Sequence, residues 1–398
     1  MSADALSGVK VLDLSRVLSG PFCTMVLADM GATVLKVEIP KVGDDSRSFP
    51  PFVNGESAYF KNMNRNKKGI TLNLKKEEGK KIFLELVKKV DILVENFRPG
   101  TMDKLGLGWE ELKKHNQALV YGCVSGFGDS GPYRLRAGYD IVGQAMSGIM
   151  SVTGWPDGEP TRAGGPISDM FAGQSLATGI LAALHYSKQT GIGQKVDIAL
   201  VDSLVACLQI INQIYLVGGR LPERIGNRYE STYPYDTFRT KDGERIVIGV
   251  ANDKFWHILC RLMGKAELIE HPDMATNQKR VQNHAEIKPI VEEWTMSRSS
   301  SELVELLLEN EVPAAPIYNI AQVAADPHIA GAREMFVEAE YPRVGKIKIT
   351  NSHIKMTETK TGFKMASPDL GQHNKEVFGE LLGYTEEQIA KLQEEGIV

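Results

Sequence analysis

Short apolar runs, many of them β-branched, alternate with longer helical patterns over the first two hundred residues, and this alternation constrains the fold most strongly. The predicted strands are residues 9–14, 33–38, 70–74, 91–95, 118–125 and 195–200. In residues 77–90, apolar side chains recur at helical spacing while lysines take the opposite face. Strand, helix and strand in this order predict right-handed crossovers and a mostly parallel sheet, which is an α/β fold.

The pattern changes after about residue 220. Gly218-Gly219 and the turn-rich residues 221–234 predict a linker, and Thr385 opens a last helix with a capping box. Between them we predict a strand at 245–250, helices near 253–263 and 285–308, and two β-segments within 336–356. Because a domain usually holds roughly 100–200 residues, the chain of 398 residues predicts two domains.

Composition excludes several classes of protein. With 42% apolar and 24% charged residues, the chain is not intrinsically disordered. The net charge of −4 and the lack of a basic block argue against nucleic acid as a partner. The four cysteines lie far apart and the eight histidines are scattered, so neither a disulfide framework nor a metal site is expected. Such cysteine usage fits a reducing compartment.

Targeting and membrane segments are not expected. The N-terminus has no basic region followed by an apolar run, as a signal peptide would have. The most apolar stretch, 198–218, is interrupted by Asp202, Gln209, Asn212 and Gln213. We therefore predict a buried helix there, in a cytoplasmic protein without a membrane partner.

Two motifs that suggest familiar chemistry lack its context. Residues 126–131 fit G-x-G-x-x-G, but Pro132-Tyr133-Arg134 follow where a dinucleotide-binding helix would begin. We interpret them as a glycine-rich loop. Ser125 is not in the G-x-S-x-G context of a serine hydrolase.

The remaining candidates are loops at strand ends, where open α/β sheets bind ligands. These loops are Arg16-Val17-Leu18-Ser19-Gly20-Pro21, Asn96-Phe97-Arg98-Pro99-Gly100, Arg136-Ala137-Gly138-Tyr139-Asp140 and residues 164–170. Lys75, Arg98 and Lys104 are either ligands of an anion or solvated surface charges. Asp169 is either a functional carboxylate or the N-cap of the next helix. The residues alone predict a two-domain α/β enzyme with an anionic ligand.

Those loops, in that order, resemble the class III coenzyme A (CoA) transferases, the family of formyl-CoA transferase and carnitine CoA-transferase. The resemblance runs from Leu6 to the C-terminus. Its further marks are Gly31-Ala32-Thr33-Val34-Leu35-Lys36-Val37-Glu38, Gly126-Phe127-Gly128, Gly191-Ile192-Gly193-Gln194, Gly226-Asn227-Arg228 and Leu370-Gly371-Gln372-His373.

The resemblance implies a large Rossmann-like domain from residues 1–200 and 335–398, and a smaller α+β domain from residues 226–325. Linkers would occupy 201–225 and 326–334. It further implies an interlocked homodimer, with each active site between the large domain of one subunit and the small domain of its partner.

The resemblance also implies the chemistry. Asp169 would be the nucleophile, with Tyr139 and Asp140 near the reacting centre. A carboxylate with an ordinary pKa of about 3.9 is ionised at pH 7 and needs no general base. CoA would be a substrate, with no metal and no separate cofactor. The residues expected to contact CoA are Val17, Leu18, Leu72, Lys75, Asn96, Phe97, Arg98 and Lys104.

Some positions depart from the family pattern. Leu18 replaces a glutamine of formyl-CoA transferases and Ile39 replaces an arginine, so formyl-CoA and oxalate are not the expected substrates. The nearest alternative is an α-methylacyl-CoA racemase, but Tyr139 stands where racemases carry the histidine that moves a proton. A catalytically silent CoA-binding protein is the other alternative.

Overall fold

The structure is a computed structural model and describes residues 4–398. Its strands are β1 (Lys10–Asp13), β2 (Thr33–Glu38), β3 (Phe52–Val53), β4 (Glu56–Ser57), β5 (Lys67–Thr71), β6 (Ile92–Glu95), β7 (Val120–Ser125), β8 (Lys195–Ala199), β9 (Tyr235–Arg239), β10 (Arg245–Gly249), β11 (Ala314–Pro316), β12 (Phe336–Tyr341) and β13 (Gly345–Thr350).

The α-helices are α1 (Ser19–Asp29), α2 (Ala58–Met63), α3 (Glu77–Val87), α4 (Thr101–Lys104), α5 (Trp109–His115), α6 (Asp140–Met146), α7 (Ile149–Val152), α8 (Ile167–Thr190), α9 (Leu200–Cys207), α10 (Gln209–Leu216), α11 (Asp253–Leu262), α12 (Asn277–Gln282), α13 (His284–Thr295), α14 (Ser300–Glu309), α15 (Ile320–Ala325), α16 (Asn374–Leu382) and α17 (Glu386–Glu394). Short 3₁₀ turns lie at Asp45–Ser48 and Ala266–Ile269, and a π-helical turn lies at Pro327–Ala332.

Six parallel strands form the main sheet in the order β5-β2-β1-β6-β7-β8. The predicted α/β fold is therefore confirmed, with each predicted strand of the first two hundred residues present and the third shifted by three residues. Numbered along the chain, the sheet strands run 3-2-1-4-5-6, the order of the doubly wound fold. The strand order reverses between β1 and β6, so the crevice for a ligand is expected at their carboxyl ends.

The sheet is covered on both faces, because its strands are apolar on both sides. In β1, Leu12 packs with α3, α16 and α17, whereas Val11 packs with α1 and α8. The same alternation separates Leu35 from Val34 in β2. Because α16 and α17 come from the end of the chain, residues 327–398 complete the core that residues 10–125 begin.

The chain forms two compact units. Among the described residues, the first comprises 4–149, Ala163–Gln213 and Pro327–Val398, and it holds the parallel sheet. The second comprises Met150–Arg162 and Ile214–Asp326. Its antiparallel sheet β11-β10-β9 packs against α11, α13 and α14 around the fully buried Trp256.

Two helix predictions were wrong. Residues 198–218 form no single buried helix: β8 ends within them, and α9 and α10 come after it. On α10 the side chains of Ile210 and Leu216 are 59% and 69% exposed. Residues 285–308 contain two helices, because Ser299 caps α14 and ends the run.

Among the helices of residues 4–398, α8 alone is long and apolar enough to span a membrane. In this structure Leu176, Ile180 and Leu184 are buried in the core beside β7. That packing is typical of the core helix of a soluble protein.

A buried ion pair ties the end of α1 to the start of β5. The Arg65 guanidinium donates to both carboxylate oxygens of Asp29, at 3.0 and 2.6 Å. Asn66 donates to the same carboxylate and to the Gly362 carbonyl, which brings the C-terminal segment to this point.

We expect Arg65→Ala to lower the free energy of unfolding by about 3–5 kcal/mol, because it leaves the buried Asp29 carboxylate without its cation. The control is Arg343→Ala, which removes a more exposed arginine paired with Glu56 and Asp369 and should cost about 1 kcal/mol or less. Urea denaturation measures both. Equal losses in the two variants would contradict this assignment.

Candidate active site

The loops after β1 and β6 meet where the strand order reverses. The Asn96 side chain accepts from the Arg16 N–H at 2.7 Å and donates to the Arg16 carbonyl at 2.7 Å. Both hydrogen-bonding groups of this amide are thus used to hold the neighbouring loop. Asn96 therefore positions the loop after β1.

Beside these loops lies a cavity of about 300 Å³ that contains Asp169, which we call the Asp169 cavity. Asp169 is the third residue of α8, and the N-cap position belongs to Pro166, so the N-cap interpretation of Asp169 was wrong. A free amide of the first turn is bound instead by Asp140, whose carboxylate accepts from the Ser168 N–H at 2.8 Å. Asp140 also accepts from Gln144 at 2.6 Å. The remaining lining of the cavity is formed by Arg16, Val17, Leu18, Ser19, Asp45, Asn96, Phe97, Arg98, Pro99, Val124, Ser125, Gly126, Arg136, Ala137, Gly138, Tyr139 and Leu200.

A glycine brings the start of α1 against α8. A Cβ atom at Gly173, one turn after Asp169, would lie 2.5 Å from the Ser19 carbonyl oxygen. Without that atom the two helices approach closely, and the Ser19 side chain comes near enough to Asp169 to lower its pKa. A polar group of a second helix therefore faces the carboxylate.

The surroundings of Asp169 disfavour its charge. Burial and the negative charge of Asp140 raise the pKa of Asp169 to about 6, against a smaller lowering effect of the Ser19 hydrogen bond. The side chain is still mostly ionised at pH 7, and it is a more basic carboxylate than an exposed aspartate. Such a group is suited to nucleophilic attack.

A second cavity, of about 440 Å³, adjoins the first, and we call it the Leu72 cavity. Arg16 and Phe97 line both. Apolar side chains including Leu72 and Leu105 form much of its wall, and the exposed Lys75 and Lys104 supply positive charge. Its composition suits a ligand with an apolar or aromatic body and anionic groups.

All the predicted site residues except Asp140 line one of the two cavities. Val17, Leu18, Asn96, Phe97, Arg98, Tyr139 and Asp169 line the first, whereas Leu72, Phe97, Lys75 and Lys104 line the second. Asp140 lies behind the cavity wall, where it holds the start of α8 and acts electrostatically on Asp169. Tyr139 is 75% exposed and sits at the rim.

Sequence reasoning missed several polar groups of the Asp169 cavity. Arg16 and Arg136 lie in the predicted loops, but the sequence alone did not identify either as a ligand. The Arg16 Nε and Ser125 Oγ atoms are buried and have no hydrogen-bond partner within residues 4–398. Unpaired buried donors beside a cavity indicate a polar ligand group. The signal that could have identified Ser125 is its place at the carboxyl end of β7.

The glycine motif at 126–131 is a loop, as predicted, since the next helix begins only at Asp140. Its first glycine has a packing role, because a Cβ at Gly126 would lie 2.7 Å from the Cα of Gly138. The main chains at Gly126 and Gly138 are therefore in contact with each other. Both glycines line the Asp169 cavity, and neither has a side chain that covers its backbone.

The chain is similar over nearly its whole length to known proteins. The CoA-transferase family III pattern matches residues 6–374. Succinyl-CoA–D-citramalate CoA-transferase of Chloroflexus aurantiacus is 40% identical over 394 residues, which are 99% of this chain and 98% of that protein. Succinyl-CoA:glutarate CoA-transferase of Homo sapiens is 39% identical over 394 residues, 99% of this chain and 90% of that protein.

The fold is also similar to that of solved structures. The crystal structure of a CAIB/BAIF family protein from Brucella suis is 37% identical in sequence, with a TM-score of 0.84. The alignment covers 96% of this chain and 100% of that one. The fold described above therefore extends through the whole of that structure.

The raised pKa of Asp169 predicts that the carboxylate destabilises the fold. The folded protein binds the Asp169 proton more tightly than an unfolded chain, in which the pKa is 3.8. The stability that this proton gives is complete below pH 3.8 and is lost as the pH rises through about 6. We therefore expect Asp169→Asn to unfold at higher urea concentration than the parent protein at pH 7.5. The difference should shrink towards zero near pH 4. The exposed Asp157→Asn is the control, and an equal gain in that variant would contradict the prediction.

Proposed function

The chain belongs to CoA-transferase family III, and we propose that it moves CoA from an acyl-CoA thioester to a free carboxylic acid through a covalent intermediate on Asp169. The observation that carries the proposal is the position of Asp169. A half-buried carboxylate with a pKa of about 6 lines a cavity that adjoins a second, more apolar one. One substrate with a reactive end and a long carrier could occupy both.

We assign the Leu72 cavity to the carrier part of CoA. Leu72 and Phe97 offer apolar surface to adenine and pantetheine, and Lys75 and Lys104 offer point charges to phosphates. Arg98, which is exposed on the loop after β6, would be a further cation for a CoA phosphate. Val17, Leu18 and Asn96 would then flank the pantetheine where it enters the Asp169 cavity.

The chemistry needs one nucleophile used twice. A carboxylate oxygen of Asp169 attacks the thioester carbon, the C–S bond breaks, and CoA leaves as a thiolate, giving a mixed anhydride. The thiolate then attacks the Asp169 carbonyl carbon. This releases the donor acid as a carboxylate and leaves an aspartyl-CoA thioester.

The acceptor acid reverses the sequence. Its carboxylate attacks the aspartyl thioester and displaces CoA thiolate, which forms a second anhydride. The thiolate attacks the acceptor's acyl carbon, giving the new acyl-CoA and restoring the Asp169 carboxylate. Each step exchanges one activated acyl bond for another, so the cycle balances without a net proton.

The oxyanions that form in these steps need hydrogen-bond donors. The backbone at Gly126 and Gly138 borders the cavity, and the unpartnered Ser125 hydroxyl lies beside it. Tyr139 at the rim would contact the acyl group or the thioester. Asp140 serves as a positioning residue that fixes the start of α8.

The cavity also favours substrates with a second carboxylate. Arg16, Arg98 and Arg136 all line it, and the Arg16 Nε is buried without a partner in the described chain. Guanidinium groups bind carboxylates bidentately. The two relatives named above act, by name, on succinyl-CoA with citramalate or glutarate, which are dicarboxylates. We therefore propose dicarboxylic acids of similar size as donor and acceptor.

We further propose that the enzyme is a cytoplasmic homodimer. Apolar side chains are exposed along α10 and the segment after it, namely Ile210, Tyr215, Leu216, Val217 and Leu221. Large exposed apolar side chains that follow one another along the chain are typical of an interaction site. A second copy of the chain is the partner that family membership suggests, and an interlocked arrangement would bury these side chains.

We expect incubation with acyl-CoA followed by hydroxylamine to convert Asp169 to a hydroxamate, found by mass spectrometry of the peptide, and to inactivate the enzyme. Asp169→Asn should lose turnover by roughly a thousandfold or more, because an amide cannot form the anhydride. Folding and CoA binding should persist, which calorimetry with free CoA tests.

Other outcomes identify the alternatives. An unmodified Asp169 with retained CoA binding would indicate a silent CoA-binding protein. Solvent deuterium entering the α-position of the acyl group without any acceptor acid would indicate a racemase.

We expect Arg136→Gln to raise the KM for succinate or glutarate by roughly tenfold or more, because a charged hydrogen bond contributes about 1.5–3 kcal/mol. The KM for butyrate, which lacks the second carboxylate, should change little. Arg134→Gln is the matched control, since Arg134 is on the same loop but outside the cavity lining. Equal effects on mono- and dicarboxylates would contradict the assignment.

A further inference from the structure

Val17 has an unusual backbone. Its φ is +66°, in the left-handed region. Five other non-glycine residues within 4–398 have a positive φ, and none of them has a β-branched side chain: Lys41, Asn54, Asn66, Glu311 and Glu334. A β-branched side chain makes this conformation costly. Because Val17 lines the Asp169 cavity, the strain lies at the candidate active site.

A buried carboxylate holds the strained residue. The Val17 N–H donates to Asp44, with distances of 3.1 Å to Oδ1 and 3.4 Å to Oδ2. Asp44 is 3% exposed and also accepts from the Lys36 ammonium at 2.8 Å. Ser46 donates to it through its N–H at 2.9 Å and its hydroxyl at 2.7 Å.

The carboxylate is itself immobile. The Asp44 N–H donates to Glu38 at 2.8 Å, which fixes its backbone to the end of β2. Lys36, fully buried, donates also to the Ser15 carbonyl at 2.9 Å. Burial alone would raise the pKa of Asp44, but the Lys36 charge and the Ser46 hydrogen bonds outweigh it and hold the pKa well below its usual range. Asp44 therefore remains an anion.

The backbone conformation of Val17 sets the positions of the next two residues. Leu18 is the N-cap residue of α1 and Ser19 its first residue, and both line the cavity. The start of α1 at Ser19 lies against α8, the helix that carries Asp169. A change of φ at Val17 would therefore change the orientation of the Arg16 backbone relative to Ser19.

We propose that Asp44 is a positioning residue for CoA transfer: its carboxylate keeps Val17 in the left-handed conformation and so keeps the loop after β1 in register with Asp169. The inference rests on the proposed function for what the loop does, and on geometry alone for what holds it. A purely structural role for Asp44 would affect stability and leave turnover of the folded enzyme unchanged.

The test compares glycine with alanine at position 17. Glycine adopts positive φ freely, whereas alanine removes the same side chain and keeps the conformational cost. We call the hydrogen bond from the Val17 N–H to the Asp44 carboxylate the clamp. Asp44→Ala removes it, and Lys36→Met is added so that no buried cation is left unpaired. We expect this pair of substitutions to lower kcat roughly tenfold or more, because about 1–2 kcal/mol of backbone strain is no longer opposed.

In the clamp-free protein, adding Val17→Gly should recover at least threefold of the lost kcat, and adding Val17→Ala should recover none. In the parent protein neither substitution should raise kcat. If glycine and alanine change kcat by the same factor in both backgrounds, the proposal is overturned. Should the clamp-free protein not fold, Asp44→Leu together with Lys36→Met, which fills more of the space and also lacks an acceptor for the Val17 N–H, carries the same comparison.

The two proposals fail separately. The clamp is judged by CoA exchange measured in glycine and alanine variants, without reference to any adduct. The covalent mechanism is judged by the hydroxamate on Asp169 of the parent protein. Rescue by glycine without that hydroxamate would support the clamp and reject the aspartyl intermediate.

Discussion

Buried ion pairs beneath the end of β1 determine where the candidate active site can form. Asp13 accepts from Lys67 at 3.0 Å and from Thr24 at 2.7 Å, while Lys36 binds Asp44. Burial lowers the pKa of Lys67 to about 8, and Asp13 opposes that effect. Such pairs add little to stability compared with apolar packing, but losing one partner is costly. They therefore specify one path for the chain between β1 and α1.

Close backbone contacts then bring distant loops to that path. Gly173 admits the start of α1, and Gly126 and Gly138 admit each other. Asn96 and Asp140 supply the hydrogen bonds between segments that these contacts make possible. The result is a cavity whose candidate carboxylate, loop backbone and cationic rim come from four separate parts of the sequence.

The sequence was most informative where the pattern was periodic. The sheet strands and α3 follow from apolar spacing, and the predicted loops 16–21 and 96–100 do follow the carboxyl ends of β1 and β6. The third strand was misplaced because its first residues, Lys67 and Lys68, are polar, and Lys67 can be buried because Asp13, the Pro21 carbonyl and Asn64 all accept from its ammonium group. The roles of Asp44 and Asp140 were equally hidden, since each depends on partners remote in sequence. The N-cap interpretation of Asp169 was wrong for the same reason: Asp140, from another segment, binds the free amide.

The return of residues 327–398 to the first unit has a consequence for synthesis on the ribosome. Val377, Phe378, Ile389 and Leu392 belong to the same core as the first strands. That core therefore stays incomplete while most of the second unit, Ile214–Asp326, is translated. During this interval the face of the nascent sheet that α3 covers lacks α16 and α17 and stays partly exposed, which is the period when a chaperone would be most useful to it.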